Sequence, residues 1–404
     1  MLTKPEYIGK GSNRNPKIAI VHEWLVTYAG SEKVLSEMLK EFPDADVFCL
    51  FDFSDGKFSK FYNGKVFKTS FLQGMRVFRK MYRNLLPLMA LAVEQFDLSD
   101  YDIVISNSHA VAKGVITAPN QLHICYCYTP MRYAWDLQHQ YLREQKIDRG
   151  LRAMVARWML HRTRIWDLRT VNGVDSFIAC SEYIARRIRK FYRRDAAVIY
   201  PGVDTDYFQM GGEKKDFYLT SSRLVPYKKI GLIVEAFRHM PDKKLVVIGD
   251  GPQYRDAVER AGPNVSVLGY QEDAVLLRHL QEAKAFIFAA EEDFGIAPIE
   301  AQACGTPVLA YGRGGASETV VDGVTGLHFW EQSVEAICDA VDRFERMVGR
   351  FDAAAIRQHA CRFSNERFRV EFRDHVNALW NAHCAESEVS CPKVALPREH
   401  SFQA

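Results

Sequence analysis

The stretch that most constrains this chain is a short unit of apolar run, acids, glycine, proline and helix. Ala285-Phe286-Ile287-Phe288-Ala289-Ala290 is apolar at every position, which suits a strand buried on both faces of a parallel sheet. Glu291, Glu292 and Asp293 follow, then Phe294-Gly295, where glycine permits close backbone approach. Pro298 fits the first turn of a helix, because its missing N–H has no helical partner there. Ile299 to Ala303 continues that helix, and Gly305-Thr306-Pro307 ends it. Open α/β sheets bind anionic ligands where a strand's carboxyl end meets a helix N-terminus. Glu292 and Glu300 flank that point with seven residues between them. Taken singly, either glutamate could equally be a partner of the helix dipole.

The same strand-then-helix unit recurs along the chain. Length alone, at 404 residues, makes two domains the default. Lys17 to His22, Asp102 to Asn107, Leu122 to Tyr128, Asp175 to Cys180 and Ala197 to Tyr200 read as strands of a first domain. Asp216 to Thr220, Lys244 to Ile248, Val265 to Tyr270 and Pro307 to Tyr311 read as strands of a second, with Val324 to Phe329 at its edge. Ser31 to Lys40 is an amphipathic helix, and further helices are expected over 143–169, 334–346 and 368–380. The boundaries read as a tail over 1–16, a first domain over 17–200, a second over 201–367, a helix over 368–384 and a second tail over 385–404.

Several positions fall where ligands would be met. Gly30 lies in Ala29-Gly30-Ser31-Glu32, at a strand-loop-helix junction suited to phosphate. His109 stands at a strand's carboxyl end, as a cleft residue or as a hydrogen-bonded structural histidine. The loop from Tyr128 to Asp136 gathers Arg132, Tyr133, Trp135 and Asp136, residue types that stack on sugars and bind phosphates. Arg223 and Lys228, five apart on a strand-to-helix loop, can converge on one diphosphate.

Glu292-Asp293-Phe294-Gly295, followed by Glu300, resembles the spaced glutamate pair of the retaining glycosyltransferases of family 4. Pro201-Gly202-Val203-Asp204, the Arg223 to Lys228 segment and Gly314-Gly315 ahead of Glu318 resemble other motifs of that family, in family order. The 128–136 loop resembles a subgroup that includes bacterial O-antigen mannosyltransferases. The resemblance implies a GT-B fold, two Rossmann-like doubly wound domains facing across a cleft, with a last helix crossing back to the first. It implies a metal-independent, cofactor-free hexosyltransferase whose donor is a GDP- or UDP-sugar. Glu292 would meet the sugar hydroxyls and Glu300 the ribose. Arg223, Lys228 and the helix N-termini near Gly30 and Gly315 would meet the diphosphate. Tyr270, Phe294, Gly295 and Ile296 would line the donor site and His109 would position the sugar. Arg132, Tyr133, Trp135 and Asp136 would take the acceptor. A nucleotide-sugar epimerase, a phosphorylase or a non-catalytic binding protein of this fold are the rival readings.

Composition sets the remaining bounds. A net charge of +3 is too small to imply nucleic-acid binding. The nine cysteines show no metal-ligand spacing and suit a reduced, cytoplasmic protein. Asp44-Ala45-Asp46, Asp100-Tyr101-Asp102 and Asp204-Thr205-Asp206 precede strands or lie in the linker, so no metal site is expected. The opening residues do not read as a signal peptide, and no run of 18 apolar residues occurs. Positive charge is concentrated in the first half. Residues 57–93 interleave cations, among them Arg76, Arg79, Lys80 and Arg83, with Phe, Met and Leu. That reads either as a surface for an anionic membrane or as the solvated face of a core helix. The expectation is a protein peripheral on the inner face of the bacterial cytoplasmic membrane, acting on a lipid-linked glycan.

Overall fold

A computed structural model describes residues 15–75, 86–144 and 146–389. Two parallel sheets organise it. The first contains β1 (Ile18–His22), β2 (Asp46–Cys49), β3 (Phe67–Thr69), β4 (Ile103–Ser108), β5 (Leu122–Cys127), β6 (Ser176–Ala179) and β7 (Ala196–Val198), in the order β3-β2-β1-β4-β5-β6-β7. The second contains β8 (Tyr218–Ser221), β9 (Leu245–Ile248), β10 (Val265–Gly269), β11 (Ala285–Phe288), β12 (Val308–Tyr311) and β13 (Gly326–Phe329), in the order β10-β9-β8-β11-β12-β13. Residues of β1, β4, β5, β11 and β12 are buried at every position. Helices cover both faces of a parallel sheet, so its central strands have no polar side to show.

Strand order places the ligand region. It reverses between β1 and β4 in the first sheet and between β8 and β11 in the second. At such a switch point the loops leaving the two strands diverge and open a crevice at their carboxyl ends. The two crevices face each other, so the GT-B arrangement of two Rossmann-like domains is what the chain adopts.

The chain crosses between the domains twice, side by side. Val203 N–H donates to Phe363 O at 2.8 Å, and Asn365 N–H donates to Val203 O at 3.1 Å. Helix Asn365–Val389 then returns to the first domain. The rings of Phe368 and Phe372 lie 5.9 and 6.1 Å from that of Tyr126 on β5, and Phe372 meets Phe42 edge-on at 5.9 Å. Arg369 binds Glu37 at 2.6 Å, and Arg373 binds Glu41 at 3.3 Å. One apolar cluster therefore runs from β1 and β5 through Phe368 and Phe372 to Phe294 and Ile299.

The helix continues to Val389, five residues into the stretch read as a tail from sequence; residues 390–404 and 1–14 lie outside the described residues. Phe372 is fully buried. Phe372→Ala is expected to lower stability by about 3–5 kcal/mol through lost burial and the cavity left behind. A urea melt measures this, and an unchanged midpoint would contradict the packing of the return helix.

Candidate active site

A cavity of about 650 Å³ lies between the two crevices. Its first wall comes from the loops after β1, β4 and β5: Tyr28 to Ser31, Lys33, His109, Tyr128, Thr129, Arg132 and Tyr133. Its second comes from the loops after β8 and β11: Ser221, Ser222, Tyr227, Lys228 and Glu292 to Ala297, with Glu300. Gly295 caps helix Ile296–Ala303 with φ of 86°, a conformation only glycine adopts without strain. The turn points the helix N-terminus into the cavity.

On the second wall Lys228 Nζ is ion-paired with Glu292, the two side chains 16% and 19% exposed. Glu300 is buried inside the helix and accepts from Lys33 Nζ at 2.9 Å, across the cleft. Glu300 beside it raises the Lys33 pKa above its ordinary value. Each glutamate of the pair thus already faces a cation, one from each domain.

The first wall depends on a buried acid that sequence reading passed over. Glu23 follows β1 and is inaccessible to solvent. Its carboxylate accepts from the backbone N–H of His109, Ala110, Val111 and Ala112 at 2.7–3.1 Å and from Ser108 Oγ at 3.1 Å. Burial pushes its pKa up, but His109 and the bonds from Ala112, Val111 and Ala110 prevail and hold it below the ordinary value. His109 is thereby fixed at the cavity rim, edge-on to Trp24 at 4.9 Å between ring centres. Its Nδ1 is buried with no hydrogen-bond partner among the described residues.

The motif segment is also gripped by the first domain. Arg132 is ion-paired with Asp293 and donates to Glu291 O at 3.1 Å. Ser181 Oγ donates to Asp293 O at 2.6 Å, and Tyr183 OH donates to Glu291 Oε1 at 2.9 Å. Behind it, a Cβ on Gly315 would stand 2.3 Å from Phe294 Cα, so only glycine lets that loop pass.

The structure gathers Gly30, His109, Arg132, Tyr133, Lys228, Glu292, Phe294, Gly295, Ile296 and Glu300 at the cavity. Phe294 is there by its backbone; its ring packs against Tyr200 and Phe363. Other expected site residues stand elsewhere. Trp135 Nε1 donates to buried Asp167 at 2.7 Å, and Asp136 holds Arg187 in a two-point pair, so both serve the domain interior. Arg223 is exposed one residue beyond the lining Ser222, and Tyr270 is 69% exposed, off the lining. The Gly315 loop supports the motif from behind and does not line the cavity. Arg76, Arg79, Lys80 and Arg83 lie outside the described residues. Two nearby lysines of the 57–93 segment are engaged locally, Lys65 with Pro43 O and Lys68 with Asp46. Lys33 and Asp293 were missed, although Asp293 sits within the marked glutamate motif and Lys33 directly follows Ala29-Gly30-Ser31-Glu32. Among the described residues no three His, Cys, Asp or Glu side chains are gathered so as to hold a metal ion.

Two facing Rossmann-like domains with a cleft at their switch points define a GT-B protein. The family description "Glycosyltransferase Family 4" matches residues 28–207, and "Glycosyl transferases group 1" matches residues 206–355. The chain belongs to the group 1/family 4 glycosyltransferases, carrying both of their domains. It is 33% identical over 205 residues, 42% of this chain and 53% of the relative, to a GDP-mannose-dependent alpha-(1-6)-phosphatidylinositol monomannoside mannosyltransferase of Mycolicibacterium smegmatis. The chain spans about half the length of the curated relatives it matches. Its fold is that of sucrose-phosphate synthase from Thermosynechococcus elongatus (TM-score 0.69, 17% identity, 91% of this chain and 100% of that one). An Anabaena protein solved with UDP and glucose shares it as well (TM-score 0.61, 16% identity, 93% and 100%).

Glu23 gives a pH signature. A carboxyl whose folded pKa is depressed contributes stability that is complete above its unfolded value and is lost as pH falls through the folded one. Glu23→Gln is expected to cost on the order of 3 kcal/mol at neutral pH, since it removes the charge from a buried, fully bonded site. That difference from wild type should shrink as pH drops below 4.5, the ordinary value for the group. Denaturant midpoints of both proteins between neutral and acidic pH measure it; a pH-independent difference would show that Glu23 is not the titrating group.

Proposed function

We propose that this chain is a retaining mannosyltransferase that moves mannose from GDP-mannose to a hydroxyl of a lipid-linked oligosaccharide in bacterial surface polysaccharide synthesis. The observation that carries the reading is the pairing of Lys228 with Glu292 on one wall, opposite the Gly30 loop and His109 on the other. A carboxylate accepts paired hydrogen bonds from a sugar's vicinal hydroxyls, and a lysine beside it balances the phosphate charge. GDP-mannose is suggested by the printed name of the Mycolicibacterium relative.

In this mechanism the bond from the sugar's anomeric carbon to the diphosphate breaks as the acceptor oxygen approaches on the same face. The leaving phosphate takes the acceptor proton. Charge grows on the diphosphate, where Lys228 and the backbone N–H groups at Gly30 stabilise it, joined by Arg223 turning in from its exposed place at the rim beside Ser222 once the donor is bound. Glu300 and Lys33 hold the ribose end, and Glu292 holds the sugar. His109, its Nδ1 turned to no protein group among the described residues, addresses the sugar from the first wall. Arg132 and Tyr133 stand on the acceptor side.

Two experiments test this. Incubation with GDP-mannose, GDP-fucose, UDP-glucose and UDP-galactose, with product anomers read by NMR, should give transfer from GDP-mannose with retained configuration. Preference for a UDP-sugar would overturn the donor, inverted products the mechanism, and a thermal shift without turnover the enzymatic reading. Separately, Lys228→Ala and Arg223→Ala should each lower kcat by about 100-fold or more. Glu300→Ala should weaken binding of GDP alone by calorimetry, whereas Glu292→Ala should impair transfer with GDP affinity kept. Equal loss of GDP affinity from both would remove that division of roles.

A further inference from the structure

Helix Gly150–Thr170, between β5 and β6, is the longest in the first domain among the described residues. Its inner side is fixed by polar bonds. Buried Asp167 is ion-paired with Lys113 and accepts from Trp135 Nε1 at 2.7 Å and Tyr192 OH at 3.0 Å. Trp166 Nε1 donates to Glu94 at 2.8 Å. With that side locked inward, the opposite one must face out. A helix face turned to water is ordinarily polar. Here it carries Leu151 (71% exposed), Met154 (61%), Val155 (49%), Trp158 (63%), Ile165 (51%) and Leu168 (47%). Their spacing of three, four and seven residues puts them on one side of the helix, as two apolar groups, Leu151 to Trp158 and Ile165 to Leu168, with exposed His161 and Arg162 between them. Exposed apolar groups of this size on one side of a helix mark an interaction surface.

The exposed charges carried by the helix itself have one sign. Arg152, Arg157 and Arg162 are exposed along the helix, and its sole acid, Asp167, is buried. We propose that this helix lies in the interface of an anionic bilayer, its apolar side at the acyl boundary and its arginines on lipid phosphates. A tryptophan among aliphatic residues, flanked by arginines, suits that depth. A second copy of this chain is a poor occupant, because it would bring arginines against arginines. Among the described residues no helix is long and apolar enough to cross a membrane, so the helix lies along the surface. Helix Leu86–Val93 packs against it and exposes Leu88 and Leu91. Asp167 also ties the helix to Trp135, three residues beyond Arg132 at the cavity. A docked helix would therefore hold the acceptor side of the cleft close to the lipid. The inference rests on the lipid-linked acceptor proposed above, and it moves the docking element from residues 76–83 to this helix.

The test is flotation of the full chain with vesicles of phosphatidylglycerol and phosphatidylcholine, or of phosphatidylcholine alone. Wild type should float with the anionic vesicles and far less with the neutral ones. The triple variant L151S/M154S/W158S changes only exposed side chains and should keep the wild-type unfolding midpoint. It should need at least about 10-fold more anionic lipid for half-maximal binding. If it floats like wild type, or if only R76S/R79S/K80S/R83S loses binding, the helix is not the docking element, while the membrane reading stands. Wild type that ignores anionic vesicles overturns both. A wild-type dimer in vesicle-free solution that the triple variant turns into a monomer would assign the apolar side to a second copy and overturn the lipid occupant.

Discussion

The cleft exists because the segment Glu291-Glu292-Asp293 belongs to one domain by sequence and to both by bonding. Arg132 and Tyr183 of the first domain hold Glu291 and Asp293, and Glu292 between them is left toward the cavity with Lys228. The Arg132 side chain is only 11% exposed. A buried ion pair adds little net stability, because desolvation offsets its attraction, but breaking it strands a charge. Its consequence here is register: the two flanking acids fix which way the middle one points. Glu318 adds a second clamp, accepting from the N–H groups of Glu182 and Tyr183 at the start of a first-domain helix.

The opposite wall is held by the same physical device used within one domain. Glu23 collects four backbone N–H groups of the loop after β4, much as an anion sits on a helix N-terminus. A loop fixed in this way presents His109 without needing a partner for the ring itself. Both walls therefore place a cavity-facing side chain by bonding its neighbours: His109 Nδ1 meets no protein partner among the described residues, and Glu292 meets Lys228, which itself lines the cavity. Such preorganisation is what electrostatic stabilisation of a developing charge requires.

The arginines divide by what they meet. Arg132 is spent on Asp293 and Glu291 of the second domain, and Arg187, Arg164 and Arg194 on carboxylates, carbonyls or an amide oxygen of the first. Arg152 and Arg162 stand outward beside the exposed apolar groups of Gly150–Thr170. A high count of cations in the first half of the chain is thus two populations, one holding the fold and one at the surface.

Much was legible in the chain before any fold was known. Apolar runs such as Ala285–Phe288 suit strands covered on both sides, and Gly295 with Pro298 suits the start of a helix, so the strand-helix alternation and the motif's place on it were readable from local chemistry. Expected strand positions fall within a few residues of the observed ones for that reason. Side-chain partners did not follow. Arg132 and Tyr133 face the cavity while Trp135 and Asp136, two and three residues on, face Asp167 and Arg187, and nothing within the loop distinguishes them. Glu23 looks like an ordinary loop acid until the loop after β4 folds over it. In each case the deciding group lies tens to hundreds of residues away in sequence: Asp293 for Arg132, Lys33 for Glu300, Asp167 for Trp135. Local sequence determined which elements form, because backbone geometry and apolar burial act over a few residues. Which polar groups meet was decided only as each domain folded and the two closed on one another, because a charge takes its partner from whatever the tertiary fold brings within about 3 Å.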